Sequence, residues 1–197
     1  MIHEVDAALV ALLRSHLAPV LAPDLIAVVS PDEAEAQGKQ LGLFPYALVE
    51  SPSLKNSPRI PISPAQSRRA PLLLDLYYLM TGYPASGDAL GGIVESHRML
   101  TRGMRVFHDH GVLSGADFPL DLSPGLAALR WELRVTQHPI TIEDLTRVWA
   151  AFPHRPLRMS IGFLVTPVPV LSLEFESTPR VLAATSSAHQ LVPEGAR

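Results

Sequence analysis

Leu72 to Thr81 reads LLLDLYYLMT, apolar on both faces of a strand except at Asp75, Tyr77 and Thr81. Those three share one face with Leu73 and Leu79, because side chains alternate along a strand. A run of this kind suits a central strand covered on both sides. The carboxylate of Asp75 then needs a partner, and the sequence leaves three open: a tyrosine hydroxyl, a backbone N–H or an arginine.

The rest of the chain has the means to surround such a strand. It has 197 residues, 47% hydrophobic and 18% charged, which excludes disorder throughout and makes one domain the default. There is no cysteine, hence no disulfide scaffold, thiolate metal site or thiol nucleophile. A formal charge of −3 gives no global reason to expect nucleic acid or an anionic membrane as the main partner. No run of about 18 apolar residues is present. Met1 to Val10 carries His3, Glu4 and Asp6 rather than a basic stretch followed by an apolar one, so synthesis and folding in the cytoplasm are expected.

Ile2, Val5, Leu9, Leu12, Leu13 and Leu17 fall on one helical face, which predicts a helix over 2–18. Asp6 and His16 project within that face. Either they reach solvent or a local partner near the helix ends, or the face meets another subunit. Leu25 to Val29 is a short apolar strand, and Ser30-Pro31-Asp32-Glu33 a helix start. Phe44 to Glu50 predicts a strand, with Pro45 marking an edge or a start. Leu90 to His110 predicts the longest helix, with Ile93, His97, Leu100, Met104 and Phe107 as its buried seam. Glu95, Arg98, Arg102, Arg105 and Asp109 form a second stripe on it. That stripe is either a solvated face laced with local pairs or a docking face for acidic protein. Leu129, Trp131, Leu133 and Val135 alternate inward along 127–136, and Met159, Ile161, Phe163 and Val165 along 157–166. Between them Thr141 opens a capped helix whose stripe is Leu145, Val148, Trp149 and Phe152. Trp149 is expected on the inward face shared by Trp131 and Met159.

Nineteen prolines force many loops, and five of them lie in 51–71. That stretch carries Lys55, Arg59, Arg68 and Arg69 and no acid. It is a mobile loop, or an arm that orders against an acidic partner. Residues 173–197 are expected to be a flexible tail, after a single domain over 1–172.

Catalytic constellations are missing. There is no G-x-S-x-G elbow, and Gly87 to Gly92 lacks the lysine and glycine spacing of a phosphate loop. His108-Asp109-His110 is the densest ligand group, but histidines two apart on a helix point to different faces. The sequence therefore calls for no catalytic, cofactor-binding or metal residues. Two rival readings remain: a small metal-dependent or hydrolytic enzyme using His108, His110 and Asp75, and a nucleic-acid binder using the loop arginines.

Three blocks carry a resemblance. The first is PYALVE at 45–50 with SLKN at 53–56. The second is PLLLDLYYLMT at 71–81, followed by Met99-Leu100 and RVFHD at 105–109. The third is IEDLTRVW at 142–149 with PLRMSI at 156–161. In that order, over residues 2–172, they resemble the cap, or tail-terminator, proteins of phage-tail-like contractile injection systems. The resemblance implies an α/β (α+β) fold with a mixed, largely antiparallel sheet flanked by helices. It implies a homo-hexameric ring that binds the last layer of inner tube and sheath and ends their growth. It implies no enzymatic activity, no cofactor, no nucleic acid and no membrane partner. On that reading, the candidate partner-binding residues are Lys55, Arg59, Arg68, Arg69, Arg98, Arg102 and Arg105.

Overall fold

The computed structural model describes residues 1–52, 58–63, 66–85, 89–118 and 132–177. Its elements are α1 (Ile2–Leu17), β1 (Ile26–Val28), α2 (Pro31–Ala36), β2 (Leu41–Glu50), β3 (Ile60–Ser63), β4 (Gln66–Arg68), β5 (Leu72–Gly82), α3 (Ala89–Asp109), β6 (Val112–Leu113), β7 (Leu133–His138), α4 (Ile142–Ala150), β8 (Ser160–Val170) and β9 (Phe175–Ser177). The chain divides into two units, residues 1–56 with 71–170, and residues 57–70 with 171–197.

The larger unit is built on β5, which sits third in a six-stranded sheet of order β1-β2-β5-β8-β7-β6. Only β1 and β2 run parallel; the other pairings are antiparallel. The sheet is therefore mixed and largely antiparallel, with helices on both faces. Leu74, Leu76, Tyr78 and Met80 of β5 alternate onto one face and join a core with α1 and α3. Leu79 points to the other face, into a smaller core under α2 and α4 that contains Val29, Ala34, Tyr83 and Trp149.

α1 buries Val5, Leu9, Leu13 and Leu17, as its spacing predicts. Asp6 finds its partner within the chain: the Tyr78 hydroxyl donates to Oδ1 at 2.6 Å. Burial raises the Asp6 pKa above its ordinary value, partly offset by that bond and by nearby His3. Burial and the adjacent carboxylate push Tyr78 above the ordinary phenol range. His16 stacks on the ring of His110, with centroids 4.0 Å apart.

The buried seam of α3 differs from the expected one. Leu100 and Phe107 are buried, but Ile93 is 45% exposed and His97 is exposed. The helix instead turns Gly92, Ser96, Met99, Gly103 and Val106 inward. The reason is close approach. A Cβ on Gly82 would stand 2.3 Å from the Ser96 carbonyl oxygen, and one on Gly103 would stand 2.8 Å from Met80 Sδ. Small residues bring α3 down onto β5, and a pattern of large apolar residues does not register them.

Asp75 accepts a hydrogen bond from the Thr166 hydroxyl on neighbouring β8, a partner outside the three expected. The register shifts there, between Leu74 and Leu76, so Thr166 meets the carboxylate at a bulge.

α4 is capped as its sequence predicts, with Thr141 Oγ1 accepting from the Asp144 N–H at 3.1 Å. Trp149 is buried, with Leu145 and Val148 packed beside it. Met159 does not share its surroundings: β8 begins at Ser160, and Met159 is 61% exposed. Trp131 and the expected start of strand 127–136 lie outside the described residues; Leu133 and Val135 do point inward. A half-buried clasp ties the chain before β8 to α2. Glu35 accepts from Arg155 at 2.8 Å and from Arg158 at 2.7 and 2.9 Å.

The smaller unit is a three-stranded antiparallel sheet of order β3-β4-β9. The proline-rich segment thus contains two strands, with Pro61 on edge strand β3, where a missing N–H costs least. β9 falls within the stretch read as a tail, and it carries the acids that the basic segment lacks. Arg59 pairs with Glu176, Arg69 lies 3.7 Å from Glu174, and Arg68 sits 4.9 Å above the Phe175 ring.

Two predictions follow from the cores. Trp149→Ala removes a buried indole and costs about 3–5 kcal/mol, a large share of a domain's about 5–15. Its indole N–H has no hydrogen-bond partner among the described residues, so Trp149→Phe is much better tolerated. Melting curves check both; an alanine variant melting within a degree or two of the parent contradicts the core assignment. The second concerns Asp6. Because its folded pKa is raised, the folded state holds the proton more tightly than the unfolded one. Stability from this group is present below the ordinary aspartate pKa and is lost as pH rises through the folded value. Asp6→Asn keeps an acceptor for Tyr78 without the buried charge. Its melting temperature relative to the parent therefore rises on going from acid to neutral pH; a pH-independent difference contradicts this.

Candidate functional site

The residues of the enzyme reading are not assembled. Asp75 alternates onto the same sheet face as Leu79 and is engaged by Thr166. His108 and His110 lie at the end of α3, on the opposite face, where His110 stacks on His16. Among the described residues, no three His, Asp or Glu side chains come together to hold a metal ion. No helix is long and apolar enough to cross a membrane among those residues.

The candidate basic positions fall into three groups. Lys55 lies outside the described residues. Arg59, Arg68 and Arg69 face Glu176, Phe175 and Glu174 in the smaller unit. Arg98 is paired with Glu95 at 2.8 Å, one helical turn away. Arg102 and Arg105, further along the same stripe, make no ion pair among the described residues. Arg102 is half-buried and Arg105 exposed. The stripe is thus half laced by local pairing and half open.

Two features of the larger unit were not found from the sequence. The first is a cleft of about 520 Å³ between the second half of α3 and strands β7 and β8. Half-buried Met104 and Ile161 form its apolar lining over buried Phe107 and Phe163, whose rings pack edge to face at 5.0 Å. Arg105 and His108 are the charged or titratable residues lining it, and no carboxylate does. Each of these residues reads as core or solvated surface by itself; only the packing of α3 over the sheet joins them. The second is the outer edge of β2. β1 pairs only with Leu41 to Leu43, so Phe44 to Val49 has no strand on that side among the described residues. Leu48 and Val49 there are 51% and 44% exposed. Pro45 gave a partial sign of that edge.

Comparison with solved structures finds the same fold in two particle components. One is the sheath/tube terminator of PVC, an extracellular contractile injection system, in its extended state. It superposes with a TM-score of 0.64 at 18% identity over 100% of this chain. The other is the tube-terminating cap of the anti-feeding prophage, at TM-score 0.62 and 17% identity over 93% of this chain. The chain spans 65% of the first protein and 60% of the second. No curated protein matches it. The Pvc16 N-terminal domain family matches residues 4–183, nearly the whole sequence. This chain belongs to the Pvc16 N-terminal domain family.

Proposed function

We propose that this domain is a structural cap that ends the inner tube and contractile sheath of a phage-tail-like injection particle. It acts as a homo-hexameric ring, without enzymatic activity or cofactor, and is made and assembled in the cytoplasm before the particle is released or retained. The observation that carries this reading is the fold shared over 100% of this chain with a sheath/tube terminator and over 93% with a tube-terminating cap. The surface chemistry supports it. A terminator needs a face that matches a polymer end, and the outer edge of β2 over Phe44 to Val49, which no strand among the described residues covers, offers main-chain groups for strand addition. It also needs charged positions for a partner's acids, and Arg102 and Arg105 have none of their own among the described residues. Arg59 and Arg69 do have carboxylates nearby, but their pairs are exposed and worth only about 0–1 kcal/mol. A tube or sheath carboxylate can replace Glu174 or Glu176 at little cost. We assign Lys55, Arg59, Arg68, Arg69, Arg98, Arg102 and Arg105 to binding of the particle's subunits, whether tube, sheath or a second copy of this chain.

The reading is tested by length control. Purified protein added to assembling tube and sheath subunits halts growth, and a particle lacking the domain carries tubes or sheaths of scattered length. Unchanged length distributions in electron micrographs contradict it. Replacing Arg59, Arg68 and Arg69 together with glutamate weakens capping. Because the residues are outside the main core, the principal melting transition stays close to that of the parent. Full capping by that variant removes the smaller unit's arginines from the interface.

A further inference from the structure

The cleft on α3 has a counterpart on the same molecule. Ile142, the first residue of α4, is 63% exposed, more than any other large apolar side chain among the described residues of the larger unit. Glu143 beside it is exposed and has no partner among the described residues, whereas Asp144 is held by Thr141 and Arg147. α4 covers one face of the sheet, and the cleft opens under α3 on the other. An apolar knob with a free carboxylate therefore stands on one side of the unit. An apolar cleft with a free guanidinium stands on the other. One chain cannot close this contact on itself.

We propose that the cleft of one copy receives the start of α4 from a second copy. Ile142 enters between Met104 and Ile161, and Glu143 meets Arg105. The occupant is fixed by complementarity on both counts. The cleft lining contains no carboxylate and ends in a basic rim, and the knob pairs an exposed aliphatic side chain with an exposed acid that has no partner among the described residues. Because the two surfaces differ and lie on opposite sheet faces, the contact is heterologous. Each added copy leaves one cleft and one knob free until a ring closes. The inference deepens the cap reading and rests on it for that closure.

Charge exchange tests the contact, since both charged residues are exposed and their replacement leaves the cores intact. In sedimentation experiments at rising concentration, Arg105→Glu and Glu143→Arg each weaken self-association about tenfold. Mixing the two single variants restores it, because every cleft then finds a knob of opposite charge. The absence of native cysteine allows a second measurement. Under mild oxidation, a mixture of Met104→Cys and Ile142→Cys forms a covalent dimer that neither variant forms alone. Single charge variants that associate like the parent overturn the proposal, as does a mixture that stays dissociated. A parent that remains monomeric to its solubility limit and gives no disulfide in the mixture overturns it too. Variants that fail to associate yet still limit tube length count against this contact and leave the cap reading standing. Intact association without length control counts against the cap reading alone.

Discussion

An eleven-residue strand with both faces occupied organises the larger unit. β5 has β2 on one side and β8 on the other, so its main-chain groups are satisfied along nearly its whole length. Its alternating side chains then divide the unit into two cores of unequal size. The larger is covered by α1 and α3, and Gly82 and Gly103 permit the close approach of α3 to the sheet. The smaller is closed by two short helices, Trp149 and the Glu35 clasp. Two of the polar groups inside the larger unit are answered from within the chain, while the Trp149 indole N–H has no partner among the described residues. Asp75 is met by Thr166 and Tyr78 by Asp6. These groups are committed to each other, and the cap reading looks for partner binding at the surface.

That surface is divided between charges answered locally and charges left open. Arg98 has Glu95 a turn away, and the basic segment of the smaller unit faces the acids of β9. Arg105 stands at an apolar cleft, and Glu143 stands beside an exposed isoleucine. On a monomer such groups would be ordinary features of a solvated face; in the ring proposed above they are where one copy would recognise the next.

Much of the larger unit was legible because its elements obey single periodicities. α1, β5, β7 as far as Thr136, β8 as far as Thr166 and the Thr141 cap followed from spacing alone, whereas β8 runs on past Pro167 and Pro169 to Val170. What escaped depended on contacts between distant segments. The seam of α3 was misread because Gly92, Ser96 and Gly103 share its inward face with Met99, Leu100, Val106 and Phe107, and a pattern of large apolar residues does not register them. Met159 continued an alternation past the residue where the ladder begins. Thr166 as the partner of Asp75 follows from a bulge, which no local pattern announces. The basic segment was read without the acids of β9, which lie about a hundred residues later in the chain. The cleft was invisible because α3, β7 and β8 each contribute only part of it. The family resemblance was legible because it rests on ordered blocks rather than on any one contact.

The central claim is that six copies of this domain close the end of a contractile particle. Reconstruction of purified particles at the end distal from the baseplate, without imposed symmetry, tests it most directly. The account predicts six copies of this fold in a ring on the last tube and sheath layer. Five- or seven-fold density at that end, or a tube end carrying no density for this fold, would contradict it.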